Sequence, residues 1–254
     1  MDFLQGRSRP VIIAHRGSSW AAPENTMAAF RRAAEEGAAM IELDVRLTRD
    51  RHLVVHHDRR LGRTTEGRGR VVELTLAALR RVDAGSWFGR AFAGERIPVL
   101  EEVLAWLPSS VGLNIEVKTD GDRRGPLPMV RALFRVLRVF GALERVVLSS
   151  FDHRFLQMAH IGTTGPARGA LVRSLALPRR SPAAIARRTG ASAIILHHRG
   201  LTLGDARRVH AAGMALVCYG IETRAHLQRI RSRCPDGIIT NNPALVRKLL
   251  QDAR

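Results

Sequence analysis

The chain has 254 residues, 45% of them hydrophobic, a composition that suits a folded domain and excludes wholesale disorder. Its net charge is +18 and is almost entirely arginine, because Lys118 and Lys248 are the only lysines. No apolar run is long enough to cross a bilayer, Met1 to Pro10 lacks the apolar core of a signal peptide, and Cys218 and Cys234 form neither a disulfide framework nor a metal finger, so the expected compartment is the cytoplasm.

Arginine is spread along the chain and reads mostly as solvated surface. Contact with an anionic membrane stays open. The aromatic content of 5% supplies few stacking platforms, and no nucleic-acid partner is expected.

The first element, Pro10-Val11-Ile12-Ile13-Ala14, is a short buried-type strand that ends in His15-Arg16-Gly17. Pro23-Glu24-Asn25-Thr26 opens a helix running to about Glu36, with Asn25 or Thr26 as N-cap and Gly37 as the stop. The next strand is Ala39 to Leu47. His52-Leu53-Val54-Val55-His56-His57 follows after only Thr48 to Arg51, too short a link for a parallel crossover. It is therefore expected to fold back as a hairpin arm. From about Asp58 to Arg96 no barrel strand appears; this Arg- and Gly-rich stretch reads as an insertion over one end, with Trp87 and Phe88 in a small satellite core. Further strands are expected at Gly112 to Lys118, Arg145 to Phe151, Ala167 to Val172, Ala191 to His197, Ala215 to Tyr219 and Gly237 to Thr240. Helical patterns fill Leu127 to Phe140, Ser181 to Thr189, Thr202 to Ala212, Thr223 to Ser232 and Pro243 to Ala253. Eight strands, mostly followed by helices, predict an α/β fold: a closed (β/α)8 TIM barrel in one domain, residues 1–254.

Active-site groups of such a barrel sit at the C-terminal ends of its strands. That rule gathers His15 and Arg16, Glu42 and Asp44, His57 from the hairpin arm, and Glu116 and Lys118. Glu42 and Asp44 are two apart on a strand and share a face, as do Glu116 and Lys118. Neighbouring acids repel and resist leaving water; one divalent cation, Mg²⁺ or Ca²⁺, between them removes both penalties. The plainer reading is acids at a wet strand end, paired with arginines. Arg16 suits a phosphate through its planar fork and Lys118 as a point charge. Two histidines titrating near neutrality can serve as base and acid on opposite sides of a phosphorus. Together these parts describe phosphodiester cleavage. The alternation does not say which of His56 and His57 faces the site, and Asp58 either orients His57 or opens a turn. His197 and His198 end another strand and read as structural; His153, His160, His210 and His226 read as surface groups.

In order along the chain, His15-Arg16-Gly17, Pro23-Glu24-Asn25-Thr26, Ile41-Glu42-Leu43-Asp44-Val45, His57-Asp58, Arg63-Thr64-Thr65, Ile97-Pro98-Val99-Leu100-Glu101-Glu102, Glu116-Val117-Lys118, Ser150-Phe151 and Asp236-Gly237-Ile238-Ile239-Thr240 resemble the glycerophosphodiester phosphodiesterase family. The resemblance spans nearly the whole chain. It implies a barrel with a small insertion after the second strand and hydrolysis of small-molecule glycerophosphodiesters to an alcohol and glycerol 3-phosphate. It implies His15 and His57 as the catalytic pair, Glu42, Asp44 and Glu116 as ligands to Mg²⁺ or Ca²⁺, and Arg16 and Lys118 on the phosphate. Three departures stand out. Arg51 occupies a turn position usually held by Gly, Tyr219 stands where a substrate-flanking tryptophan is expected, and Asn241 replaces a frequent acid. Two alternatives accompany this expectation. One is lysophospholipase D-type cleavage at a membrane surface. The other is a non-catalytic anion-binding barrel, which has no need of such acids beside a phosphate.

Overall fold

Alternation with a period of two organises the whole molecule. The computed structural model describes residues 8–119, 125–160, 165–175 and 181–252. Met1 to Arg7, part of the polar stretch read above, and Ala253, at the expected end of the last helix, lie outside them. The strands are β1 (Val11–His15), β2 (Met40–Leu47), β3 (Leu53–Val55), β4 (Gly112–Val117), β5 (Val146–Ser150), β6 (Ala167–Leu171), β7 (Ala193–His197), β8 (Ala215–Tyr219) and β9 (Gly237–Thr240). Their order in the sheet is β1-β9-β8-β7-β6-β5-β4-β2-β3. A parallel β1–β2 pairing, Ile13 opposite Met40 and His15 opposite Glu42, closes eight parallel strands into a barrel. The fold expected from the sequence is the fold observed.

The helices are α1 (Met27–Glu35), α2 (Leu76–Leu79), α3 (Leu100–Trp106), α4 (Leu127–Val139), α5 (His153–His160), α6 (Pro182–Thr189), α7 (Leu203–Ala211), α8 (Arg224–Arg231) and α9 (Pro243–Gln251). Thr26 is the N-cap of α1, accepting from the Ala29 N–H, and Gly37 follows the helix with φ +73°. The helix thus begins behind one of the two caps expected, and Glu24 and Asn25 form a turn ahead of it. Two barrel helices, α3 and α5, were not anticipated. They have seven and eight residues.

Residues alternate between two cores. One set of side chains faces the helices and includes Ala14, Ile41, Leu43, Ile115, Leu148, Ile194, Leu216 and Ile238. The other fills the barrel, with Val11, Ile13, Met40, Val147, Leu171, Ala193, Ile195, Val217 and Ile239. The same inward parity then continues up β1, β2 and β4 into His15, Glu42, Asp44 and Glu116. A barrel filled by apolar side chains below is thus polar at its C-terminal mouth.

β3 is the one antiparallel strand of the sheet, pairing Val45 with Val55 and Leu47 with Leu53. The hairpin arm is therefore as expected, and it returns the chain to the level of Asp44, where the His56 N–H donates to the Asp44 carbonyl. The residues that follow build a separate small core from Val54, Leu61, Val71, Leu79, Ala84 and Ile97. Trp87 and Phe88 are not in that core, contrary to expectation. Trp87 stays 44% exposed and meets Phe88 edge-on at 5.5 Å. Its indole N–H is satisfied locally by the Ala84 carbonyl, so the ring can lie at the surface.

Candidate active site

Glu42, Asp44 and Glu116 are buried and converge: each offers an oxygen within 4.8 Å of the others'. Register explains it. β2 and β4 are in parallel register with Asp44 opposite Glu116, and Glu42 lies two residues below Asp44 on the same face. Burial, then Asp44 and Glu116, push Glu42 well above the usual carboxylate range. Burial and Asp44 likewise raise Glu116. Burial pushes Asp44 up too, but Lys118, Arg16 and His57 outweigh it, and its value is lowered.

Lys118 and Arg16, expected from the sequence to meet a phosphate, meet these acids here. The Lys118 ammonium lies 3.0 Å from Asp44 Oδ1 and also contacts Glu116. Arg16 spans three acids: its backbone N–H donates to Glu42 Oε2 at 2.9 Å, its Nη1 to Glu24 Oε1 at 2.8 Å, and its Nε lies 3.4 Å from Asp44 Oδ2. Arg16 adopts φ +57°, a region disfavoured for side chains with a Cβ. The next residue, Gly17, has φ +80°, and a Cβ there would lie 2.6 Å from the Ala29 backbone. The turn after β1 must therefore close tightly on α1, and this aims Arg16 back over the carboxylates.

Both histidines expected at the mouth are there. His15 Nδ1 lies 2.6 Å from Asn241 Oδ1, and His15 Nε2 lies 3.9 Å from Glu42 Oε2. Because a carbonyl oxygen only accepts, the pairing puts the proton on Nδ1 and leaves the Nε2 lone pair toward the acids. Burial, then Arg16, pull His15 down to about 4. His57 Nδ1 lies 2.7 Å from Asp58 Oδ1, which likewise frees its Nε2. His57 is lowered by burial, with Asp44 opposing and Arg16 and Lys118 reinforcing. His56 is buried instead against the insertion.

Several contacts of the site were not expected from the sequence. Asn25 clasps Asp44, donating from Nδ2 at 2.9 Å and accepting the Asp44 N–H at 3.2 Å. Arg63 donates to Asp58 at 2.6 Å and to both oxygens of Glu24, which also holds Arg16. Burial pushes Asp58 up, but its bonds to Arg63 and His57 hold it down at about 2. Arg46 donates from Nε to the His57 carbonyl at 3.0 Å. The Asn241 backbone N–H donates to the Glu222 carboxylate at 3.1 Å.

Tyr219, at the end of β8, is half-buried and lies edge-on to His197 at 5.1 Å between ring centroids. His198 is buried and stacks on His226 at 4.4 Å. The expected surface histidines are partnered rather than bare: His153 with the Leu171 carbonyl, His160 with Arg168, and His210 with Asp236. A cavity of about 950 Å³ lies at the other end of the barrel, beside Arg9, Ile12, Ile230, Asp236 and Arg247, and touches none of His15, Glu42, Asp44, His57 and Glu116. Glu42, Asp44 and Glu116 thus converge away from that cavity.

These residues fit a hard cation. Glu42 Oε1 is buried without a hydrogen-bond partner, an arrangement that is costly unless something positive meets it. All three donors are carboxylate oxygens, the ligand type of Mg²⁺ and Ca²⁺.

The model of the glycerophosphoryl diester phosphodiesterase family matches residues 15–245. YhdW of Bacillus subtilis (strain 168) is 36% identical over 245 residues, 93% of this chain and 96% of that protein. A glycerophosphodiester phosphodiesterase of the same organism is 29% identical over 97% of this chain and 88% of its own length. Among solved structures, an Oleispira antarctica phosphodiesterase in complex with the product sn-glycerol-3-phosphate superposes with a TM-score of 0.87 at 28% identity, over 95% of this chain and 97% of that one. The carboxylate cluster, the closed barrel and these likenesses agree: the chain belongs to the glycerophosphoryl diester phosphodiesterase family and is a glycerophosphodiester phosphodiesterase.

Proposed function

We propose that the chain acts as one barrel domain, residues 1–254 with an insertion at about 58–96, in the cytoplasm. There it hydrolyses glycerophosphodiesters to an alcohol and sn-glycerol 3-phosphate by two-histidine acid–base catalysis. The observation that carries the mechanism is the pairing of the two imidazoles. Each has Nδ1 tied down and Nε2 free, one against a neutral amide and the other against a carboxylate.

Glu42, Asp44 and Glu116 hold one divalent cation, Mg²⁺ or Ca²⁺. When bound, it supplies positive charge to the phosphoryl oxygens as they gain negative charge. Arg16 and Lys118 bind the phosphate. Lys118 now neutralises Asp44 and Glu116, and it is free for the phosphate only when those acids have another partner. His15, paired with a neutral amide, takes the proton from the attacking oxygen, either water or the neighbouring glycerol hydroxyl. His57, backed by Asp58, stabilises an imidazolium and delivers a proton to the departing alcohol oxygen. If the glycerol hydroxyl attacks, a cyclic phosphate forms and water then opens it. Tyr219 flanks the organic part of the substrate. The product held by the Oleispira structure supports the glycerol 3-phosphate half of this reading.

The test is a panel of glycerophosphocholine, glycerophosphoethanolamine and glycerophosphoglycerol with purified protein, assayed for glycerol 3-phosphate with added Mg²⁺, Ca²⁺ or chelator. Release that chelator stops and either cation restores is the expected result. Release at full rate under chelator removes the cation, and full activity in His15→Ala removes the histidine pair.

A further inference from the structure

Scattered apolar side chains are ordinary on a protein surface. Here they are segregated. Trp20, Trp87, Leu127, Phe151 and Leu203 are 39% to 71% exposed. Trp20 lies between β1 and α1, and its backbone N–H donates to the carbonyl of Asn241, whose side chain meets His15. Phe151 directly follows the last residue of β5. Leu127 and Leu203 open α4 and α7, the helices after β4 and β7. In a barrel these segments all leave the same end, the end that carries the carboxylates. Trp87 lies on the insertion that follows the hairpin arm. Among the described residues, the other exposed large apolar groups, Val139 and Phe140, close α4 at the opposite end.

Charge accompanies the apolar groups. Arg49 and Arg51 of the hairpin turn, Arg173 after β6 and Arg199 after β7 are exposed at the same end. The insertion, residues 58–96, has nine arginines against five acids. A second copy of this chain is a poor occupant, since two surfaces of a protein carrying +18 repel. Separated aromatic and aliphatic tips set among arginines fit a headgroup layer, where rings lie at the apolar boundary and guanidinium groups meet phosphate.

We infer that the catalytic end of the barrel docks on an anionic phospholipid bilayer, with Trp20 and Phe151 entering the headgroup layer and the neighbouring arginines on its phosphates. Docking in this orientation turns the mouth toward the membrane, so diesters that still carry an acyl chain become accessible.

Binding is read without turnover, so the test stands apart from the proposed chemistry. The full chain is sedimented with phosphatidylcholine vesicles, with or without phosphatidylglycerol, at low and at physiological salt. The expected result is binding that needs phosphatidylglycerol, together with a blue shift of tryptophan emission that is lost in Trp20→Phe. Trp20→Ala with Phe151→Ala should weaken partitioning by about tenfold for each side chain withdrawn. Thermal unfolding and hydrolysis of glycerophosphocholine in solution should stay as in the wild type. Failure to bind phosphatidylglycerol vesicles overturns the proposal. So does binding that salt abolishes but the double variant leaves intact, which is adsorption by arginine alone. A dimer that the same double variant disperses, with no vesicle binding, assigns the surface to a second copy instead.

Discussion

Above Val11, Ile13 and Met40, the inward faces of β1, β2 and β4 carry His15, Glu42, Asp44, Asn114 and Glu116, whereas those of β5 to β9 carry Val147, Leu171, Ile195, Val217 and Ile239. Both sets point into one barrel, and apart from His15 both are buried. The apolar half stabilises by leaving water, roughly 1.5–3 kcal/mol for each large side chain. The charged half does the opposite, because buried carboxylates that crowd one another oppose folding unless cations or hydrogen bonds meet them. Arg16, Lys118 and Asn25 meet Asp44 but leave Glu42 Oε1 bare. The site is thus a strained quarter carried by an ordinary core, and a change in either half should be felt differently in activity and in stability.

The largest separation is expected from Glu42→Gln. Glu42 has a raised value in the folded chain, so the folded state favours its protonated form. That contribution is fully present below the ordinary carboxylate range and is lost as pH rises through the raised value. At neutral pH the group therefore opposes folding, and a neutral isostere removes the penalty. Activity should fall about 10³-fold, matching several kcal/mol of lost charge stabilisation. The melting temperature without added cation should rise. Val217→Ala, in the apolar half, should instead cost about 1–3 kcal/mol of stability and leave kcat of the folded fraction near wild type. Calorimetry beside steady-state kinetics checks both. Equal losses of stability in the two variants would remove the distinction.

The two histidines divide the charged half further. His15→Ala and His57→Ala should each lose about 10²–10⁴-fold on glycerophosphocholine. With a p-nitrophenyl diester, whose leaving oxygen needs no proton, His57→Ala should recover most of its rate and His15→Ala should not. Recovery by His15→Ala instead would exchange their roles.

Cation binding should follow pH for the same reason that Glu42→Gln stabilises. Burial and mutual repulsion favour the protonated forms of Glu42 and Glu116, and a cation must displace those protons. Affinity for Mg²⁺ or Ca²⁺ should therefore climb as pH rises from the ordinary carboxylate range through their raised values, with proton release on binding. Titration calorimetry in two buffers of different ionisation enthalpy measures that release directly. A pH-independent affinity with no proton exchange would show the acids already ionised.

The apolar half was easier to read from sequence than the charged half, and the reason is range. A strand declares itself through its own alternation, so β1 to β9 and the shared face of Glu42 and Asp44 were legible from neighbouring residues. The partners of those acids come from elsewhere in the chain. Asn25 was legible only as a candidate helix cap, yet its left-handed backbone (φ +59°) turns it onto Asp44 and leaves the cap to Thr26. The path from Glu24 through Arg63 to Asp58 joins segments 39 residues apart, with nothing local to announce it. The choice between His56 and His57 needed the register of β3 on β2, which the pattern of either strand leaves open.

The smallest expected effect separates strain that serves the site from strain that does not. Arg16 and Arg51 both lie in the charged half and both have positive φ, +57° and +67°. For a residue with a Cβ that region costs roughly 1–2 kcal/mol. Glycine there escapes the cost but loses roughly 0.5–1 kcal/mol to the greater freedom of the unfolded chain. Arg51 sits in the hairpin turn, where its N–H bonds the Thr48 carbonyl at 3.1 Å, a contact glycine keeps. Arg51→Gly should therefore stabilise by about 0.5–1 kcal/mol, a rise in melting temperature of about 1–4 °C for a chain of this size, with activity toward a soluble diester unchanged. Arg16→Gly relieves the same backbone cost but removes the side chain that meets Glu24 and Asp44. It should lose both stability and phosphate affinity, read as a higher KM. If Arg51→Gly instead slows hydrolysis of the soluble diester, the hairpin turn belongs to the site and its strain is functional as well.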